Sequence, residues 1–549
     1  MKRFLVATCL ICGALLLCCA LLVPAHFRAL DAAVIESAGK GRVGASTPTL
    51  VEEGITFLSV EKLGPAKVLF RSAQAEGVQR SALLSGGIAQ FTRENPSLVA
   101  LGGAAPLLDN AEVAPRSATE PQPIVDLLAR RVPREKAFQF LQQSRRPGVQ
   151  HMLQNRALTN TILFPPAMSS SGQALDAAIL TAALLYQGDH YTATFRDAFE
   201  YLAMHANRGA DPGPLELIYL DLLSLGRRLD WVSLTELMKY VDDIATLRDL
   251  AEAMRAKDDA VANIYSAVVL SRNGNGVAKY LTQFSETGLN DLSFALRNGR
   301  GAVELLLKQQ QRVYYAGLRQ KVVGYDPFGA FFYQMVPAVI NSQVGALFLK
   351  YLFLGLGALC LTRAIGFLTA SLEHRFGMRF AADSVFALAF AFVVALSIEP
   401  FIGAPSQNIL PFRLQLPTLA SAATVAKMQI ITQSYMNQLS LTSLVVFFVL
   451  QALIYVWCLT KLAEIRRQPV TAHMKLKLLE NEDQLFDAGL YVGFVCSVIS
   501  LILLSIGLGK ISMMAYASTA FGIIFVSVLK IFHVRPLRRR LIMESETQS

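Results

Sequence analysis

The sequence predicts an all-α, polytopic helical membrane protein with a large extracytoplasmic domain, an irregular α-solenoid. Three observations carry that prediction. The 549 residues are 53% hydrophobic and only 17% charged, against about 25% charged residues in soluble globular chains. Six apolar runs have the length needed to cross about 30 Å of hydrocarbon: Phe4–Val23, Val344–Leu368, Ser384–Phe401, Leu441–Leu459, Leu490–Leu508 and Met513–Leu529. Between the first two, residues 26–340 hold no such run and read as a succession of short helices.

The first run follows Lys2 and Arg3, and Val23-Pro24-Ala25 loosely fits a small-residue cleavage site. About 20 apolar residues exceed the 7–15 of a typical signal-peptide core. Residues 1–25 therefore read as an uncleaved signal anchor, with a signal peptide as the alternative. Lysine and arginine stay on the cytoplasmic side of short loops, which fixes the orientation. With the N-terminus inside, the inner loops hold Lys2 and Arg3, then Arg375 and Arg379, then Lys461, Arg466, Arg467, Lys475 and Lys477. The last inner segment, "VLKIFHVRPLRRRLI" (528–542), adds Lys530, Arg535, Arg538, Arg539 and Arg540; the short outer loops hold only Arg413, Lys427 and Lys510. Both termini are thus expected in the cytoplasm, residues 26–340 outside it, and the chain in the cytoplasmic (inner) membrane. The net charge of +10 sits beside apolar runs, as topogenic signals do, so nucleic acid is not an expected partner.

Within the outer domain, "TLVEEGITFLSVEKLGPAKVLFRSAQAEG" (49–77) reads as a helix–turn–helix broken at Gly64-Pro65. Its expected apolar face is Leu50, Ile55, Leu58, Val68, Leu69 and Ala73, and it loosely resembles one tetratricopeptide unit. A helical subdomain is expected over 26–101, then a poorly structured linker over 102–123 with Pro106, Pro115, Pro121 and Pro123. From 124 to 340 the helices come in quick succession. "SSSGQALDAAILTAALLYQG" (169–188) opens on serine caps and closes on glycine; "TATFRDAFEYLAMHANRG" (192–209) places Phe195, Phe199, Leu202 and Ala206 on one face. Short breaks between helices suit a stacked array in which each pair buries its face on the next. "YDPFGAFFYQMVP" (325–337) reads as an aromatic elbow at the membrane surface, with a core role for its phenylalanines as the alternative.

The remainder divides into the second span with its cytoplasmic link (341–382) and the third and fourth spans with an outer loop (383–460). A cytoplasmic loop (461–489), a transmembrane hairpin (490–530) and a basic tail (531–549) follow. Lys350 and Arg363, near opposite ends of the second span, are expected to snorkel to the interfaces, and Glu399-Pro400 closes the third. Proline and glycine are absent from Thr418 to Gln468, so the fourth span is expected within one helix of ~75 Å.

Chemistry is hard to find. All seven cysteines, Cys9, Cys12, Cys18, Cys19, Cys360, Cys458 and Cys496, lie in apolar runs, which gives the outer domain no disulfide framework and no zinc spacing. "GKGRVGAS" (39–46) approaches a phosphate-binding loop but has Ala45 where the lysine belongs. Asp189, His190 and His205 are the one polar cluster that hints at metal, and surface or capping roles fit them better. No catalytic, cofactor-binding or metal residue is assigned; no cofactor is expected and the chain reads as a non-enzyme.

The last two spans are more informative. Gly489, Gly493 and Ser497 repeat every four residues, and Ala515, Ser518, Thr519 and Gly522 form a second small stripe. Such stripes let helix backbones approach closely. "AYASTAFGIIFVSVLKIFHVRPLRRRL" resembles the last span of the TolQ–ExbB–MotA family, with Ser518, Thr519, Ala520 and Gly522 on its pattern. "GLYVGFV" (489–495) is a poorer echo of that family's other motif, with Phe494 at a threonine position. The resemblance implies a homo-oligomeric ring whose ion flow drives a partner, with Thr519 as a pore residue; Phe494 departs from that pattern. Packing of the hairpin is the alternative role of the same seven stripe residues.

The expected function is binding or scaffolding by the outer helical array within an envelope assembly, with the lipid bilayer and other envelope proteins as partners. A motor-channel-like ion conductor with a fused outer domain is the second reading, and a transporter component the third.

Overall fold

The computed structural model describes residues 2–39, 47–78, 80–113, 115, 118–315, 328–369, 450–505 and 517–546, with isolated positions between 384 and 399. The chain divides into two compact units: one of residues 29–321 and 336–341, the other of 1–28, 322–335 and 342–549.

The first unit is helical, as expected, except at its ends. Ala29–Asp31 (β1) and Arg312–Tyr314 (β2) pair in parallel, Leu30 opposite Val313, so that the beginning and end of the unit meet in one two-stranded sheet. The buried Asp291 carboxylate holds β2 in place, accepting the Val313 amide at 3.0 Å and the Tyr280 hydroxyl at 2.9 Å. Strands so short carry no alternation, which is why the all-α expectation passed over them.

The helix pair at 49–77 forms as Leu50–Ser59 and Leu63–Ala75. Thr49 and Glu52 make a reciprocal capping box, satisfying two otherwise orphaned backbone donors. The break lies at Val60–Lys62, where Glu61 takes a left-handed backbone conformation (φ 58°). Gly64-Pro65 falls in the first turn of the second helix, where proline forfeits no helical hydrogen bond. Ile55 is 45% exposed; Gly54 and Phe57 take its expected place in the interior.

The helices Gln173–Gln187 and Ala193–Asn207 appear close to their expected bounds. Gly172 rather than a serine caps the first, and Leu202 is only half-buried while Phe195, Phe199 and Ala206 are buried. Phe195 and Phe199 pack with Tyr191 and Tyr219, ring centroids 4.9–5.9 Å apart, the tilted and edge-on geometry that aromatic quadrupoles favour. Alternate helices stack through this region, Gln173–Gln187 on Gly213–Gly226 and that helix on Ile244–Ala256.

Stacking on the next neighbour does not describe the whole unit. The Leu63–Ala75 helix packs on Trp231–Met238 and Val261–Ser271, far along the chain. Ser72 donates to Asn263 at 2.7 Å, Glu76 pairs with Arg297 at 2.7 Å, and Lys62 with Glu236 at 2.7 Å. Residues 29–101 are therefore packed into the same unit as the array. The stretch 102–123, expected as a loose linker, carries the short helix Pro106–Asn110 and buries Leu108 and Val113. Val232 donates to the Leu101 carbonyl at 3.1 Å at its near end.

In the second unit the N-terminal helix Lys2–Leu22 packs along Gln343–Thr369. Gly13 meets Leu361 and the Gly357 carbonyl, whereas Ala25 meets Lys350, so the two run antiparallel. A side chain at Gly13 would place its Cβ 3.1 Å from the Gly357 oxygen; glycine at both positions permits the approach. A helix over 450–467 packs with Ala472–Asn481, Asp483–Phe486 and the C-terminal helices around Cys458, Leu462, Leu479, Phe486 and Leu529. Among the described residues, two helices are long and apolar enough to cross a membrane, Gln343–Ala364 and Thr519–Glu546, and Val6–Leu22 is a shorter apolar helix. Most of the expected third span, the first part of the fourth, the end of the fifth and the start of the sixth lie outside the described residues, as do residues 40–46 of the glycine-rich loop and the face of Val425, Met428, Ile431 and Tyr435.

Candidate functional site

Two polar clusters lie among the apolar helices of the second unit. The first joins the two expected stripes. Ala488–Ser505 and Ala517–Leu529 pack as a hairpin, and a Cβ on Gly522 would fall 2.7 Å from the Gly489 carbonyl oxygen. One turn along, the Thr519 hydroxyl donates to the Gly493 carbonyl at 3.3 Å and lies 2.7 Å from the Ser497 hydroxyl. Gly489, Gly493, Ser497, Thr519 and Gly522 thus meet across one seam. Ala515 and the Ser518 side chain lie outside the described residues.

A third helix closes this seam with a residue that sequence reasoning passed over. Gln451, fully buried, donates from Nε2 to the Gly489 carbonyl at 2.9 Å. Its Oε1 finds no partner among the described residues, and the residue borders a cavity of about 10 Å³ also lined by Cys458 and Phe486. A space of that size holds at most one water. One amide in an apolar run gives no spacing signal; only its position, on a helix otherwise made of large apolar residues, marks it.

The second cluster corrects an expectation. Lys350 does not reach an interface: it is 3% exposed and its ammonium donates to the Ala25 carbonyl at 2.7 Å and to the Glu399 carboxylate. Glu399 also accepts the Phe27 amide at 2.8 Å and lies 3.5 Å from Nδ1 of His26, which is fully buried. Gln343 donates to the His26 carbonyl at 2.9 Å. The segment just after the N-terminal helix delivers the carbonyl and the imidazole, the first turns of Gln343–Thr369 the cation, and Glu399 the anion. A charge left unneutralised in hydrocarbon is costly, so neighbouring groups satisfy one another. Three ionisable side chains far apart in sequence carry no motif, which is why this cluster was not anticipated.

The residues of the helical domain weighed for metal do not converge. Asp189 is held by Arg146 through two hydrogen bonds, 2.5 and 2.6 Å, and that guanidinium keeps its carboxyl below the usual range. His190 packs edge-on against Trp231 at 5.6 Å, and burial lowers its basicity; His205 packs against Tyr201 with the rings tilted, centroids 4.1 Å apart. Among the described residues no group of three or more His, Cys, Asp or Glu side chains is placed to hold a metal ion.

The same domain buries one acid with an unusual proton affinity. Asp230 caps the Trp231–Met238 helix, accepting the Ser233 amide at 2.8 Å and the Ser233 hydroxyl at 2.9 Å. Its carboxylate occupies space left by Gly64 and Gly102, where an added Cβ would approach to 2.1–2.2 Å. Burial raises its pKa from 3.8 to about 6, against the lowering effect of the Ser233 hydrogen bonds.

Comparison with protein families, with characterised proteins and with solved structures finds no match to this chain.

Proposed function

We propose that this chain is an integral protein of the cytoplasmic membrane that carries its helical domain outside the cytoplasm and uses it to bind or scaffold other envelope proteins, without catalysis. The observation that carries this reading is how the helical domain is tied off. β1 and β2 bring its two ends into one sheet, and the chain continues on either side into apolar helices that pack against each other. A self-closed helical domain offers surface for a partner and needs no reactive constellation to use it. The lysine and arginine bias supports the outer placement.

Alkaline phosphatase fused after Glu120 or Gly301 is expected to be active, and β-galactosidase fused at the same points silent. The reverse pattern overturns the topology. Purification in mild detergent should then retain envelope proteins through residues 29–321, and deletion of that domain should release them.

The second reading, a ring-forming ion conductor, draws on the resemblance of the last span to the TolQ–ExbB–MotA family and on the hydroxyl pair of Ser497 and Thr519 in an apolar hairpin. Conduction needs Thr519 to face a ring axis. Its hydroxyl is engaged within a single chain by Gly493 and Ser497, which favours packing.

A further inference from the structure

At the foot of the C-terminal hairpin the helix changes character. After Leu529, residues Lys530–Val534 form a π-helical turn before Arg535–Glu546 continues. Such turns widen a helix by one residue and recur at functional positions. This one sits where an apolar run becomes a basic one. It opens onto a groove of about 930 Å³ against the end of the 450–467 helix, lined among others by Arg466, Arg467, Arg540, His533, Leu462 and Phe532. Among the described residues that line it none is a carboxylate, although Arg540 donates from Nε to Glu544 at 3.0 Å and Arg467 is itself engaged. Phe532 is 68% exposed and Leu462 is buried in the floor.

We infer that this groove binds the head group of an anionic phospholipid, its phosphate held by Arg466, Arg467 and Arg540 and the start of an acyl chain lying on Leu462 and Phe532. Guanidinium forks match phosphate oxygens two at a time. Basic pockets between membrane helices at the cytoplasmic face suit acidic head groups. A free phosphate ion would use the arginines and leave the apolar wall exposed to water; a phospholipid satisfies both. The large volume points the same way. His533 is turned toward Tyr455, 3.0 Å from its hydroxyl, and so forms part of the wall. This inference rests on the membrane reading above.

The test uses the full-length protein in mild detergent, where no bilayer surface charge attracts lipid. Native mass spectrometry would follow retention of added phosphatidylglycerol, with phosphatidylcholine and inorganic phosphate as separate arms. Replacing Arg466, Arg467 and Arg540 by Gln should weaken phosphatidylglycerol retention on the order of 100-fold. The matched variant Arg535→Gln/Arg538→Gln/Arg539→Gln, which removes equal charge outside the groove, should retain the lipid nearly as the parent does. Equal loss in both variants, equal retention of phosphatidylcholine, or displacement of the lipid by inorganic phosphate would each overturn the proposal. Should the Gln variant unfold by circular dichroism, Lys at the same three positions keeps the charge and removes the forks. It is expected to bind roughly tenfold more weakly, and unchanged binding would overturn the proposal. Reporter fusions that contradict the topology would instead remove the membrane reading itself.

Discussion

Lys350 and Glu399 form an ion pair within the apolar helices, both shielded from solvent, and the ammonium also donates to the carbonyl of Ala25. Removing one partner strands the other. Glu399→Gln is expected to destabilise the protein by about 3–5 kcal/mol, and Lys350→Met likewise. The double variant should recover much of that loss, since neither charge then lacks its counterpart. Thermal melting in detergent measures all three, and strictly additive losses would show that the pair is not coupled.

The hairpin seam separates packing from conduction. Gly522→Ala drives a methyl against the Gly489 carbonyl, and Gly493→Leu forces the helices apart, so both should lower stability and yield. Thr519→Val keeps the volume and removes the hydroxyl's bonds to Gly493 and Ser497, at a cost of about 1–2 kcal/mol. If the seam is packing alone, reconstituted protein carries no proton or sodium flux and Thr519→Val changes little. A flux abolished by Thr519→Val, with a ring seen by native mass spectrometry, would favour the conductor.

Asp230 makes the helical domain respond to pH in an unusual direction. Its folded pKa of about 6 lies above its ordinary value of 3.8, so the folded state binds more protons than the unfolded state between those values. This group therefore contributes stability that falls as pH rises from about 4 to 6, by up to about 3 kcal/mol. Asp230→Asn keeps a capping acceptor and cannot ionise. Melting temperatures of residues 29–321 at pH 7 and pH 5 should show the parent gaining on acidification relative to the Asn variant; identical shifts would dismiss the effect.

Cys12 and Cys360 lie near each other across the antiparallel helix pair, each next in sequence to the contact of Gly13 with Leu361. A mild oxidant, or a short bis-methanethiosulfonate cross-linker that forms a disulfide with each thiol and expels sulfinate, should join them in the native protein. With a protease site placed after Glu120, the two fragments should stay together without reductant and part with it. Fragments that separate in both conditions would mean that the N-terminal helix is removed or packs elsewhere.

Much of the helical domain is legible in the chain because each helix carries its own start and stop. The Thr49–Glu52 capping box, Gly188 after Gln187, and the run of Phe195, Phe199 and Ala206 are local signals. The four-residue spacing of Gly489, Gly493 and Ser497 likewise announces a face, and the structure sets it against Thr519 and Gly522. What escaped depends on distant partners. Lys350 alone in an apolar run looks like a residue reaching for water; only the chain path that delivers Ala25, His26 and Glu399 makes burial affordable. Gln451 is equally mute by itself. β1 and β2 are three residues each, too short for a period, and each exists because the other is there.

That strand pair has a mechanical consequence. The chain enters through the leading end of β1 and leaves through the trailing end of β2, and the two strands run parallel. Tension applied to the flanking segments therefore slides one strand along the other, loading their hydrogen bonds together instead of peeling them apart in turn. The helical domain is thus fastened by a shear clasp. It should withstand pulling from its own tethers far better than pulling from any point within its helices, a difference that single-molecule extension from the two sets of attachment points would read directly.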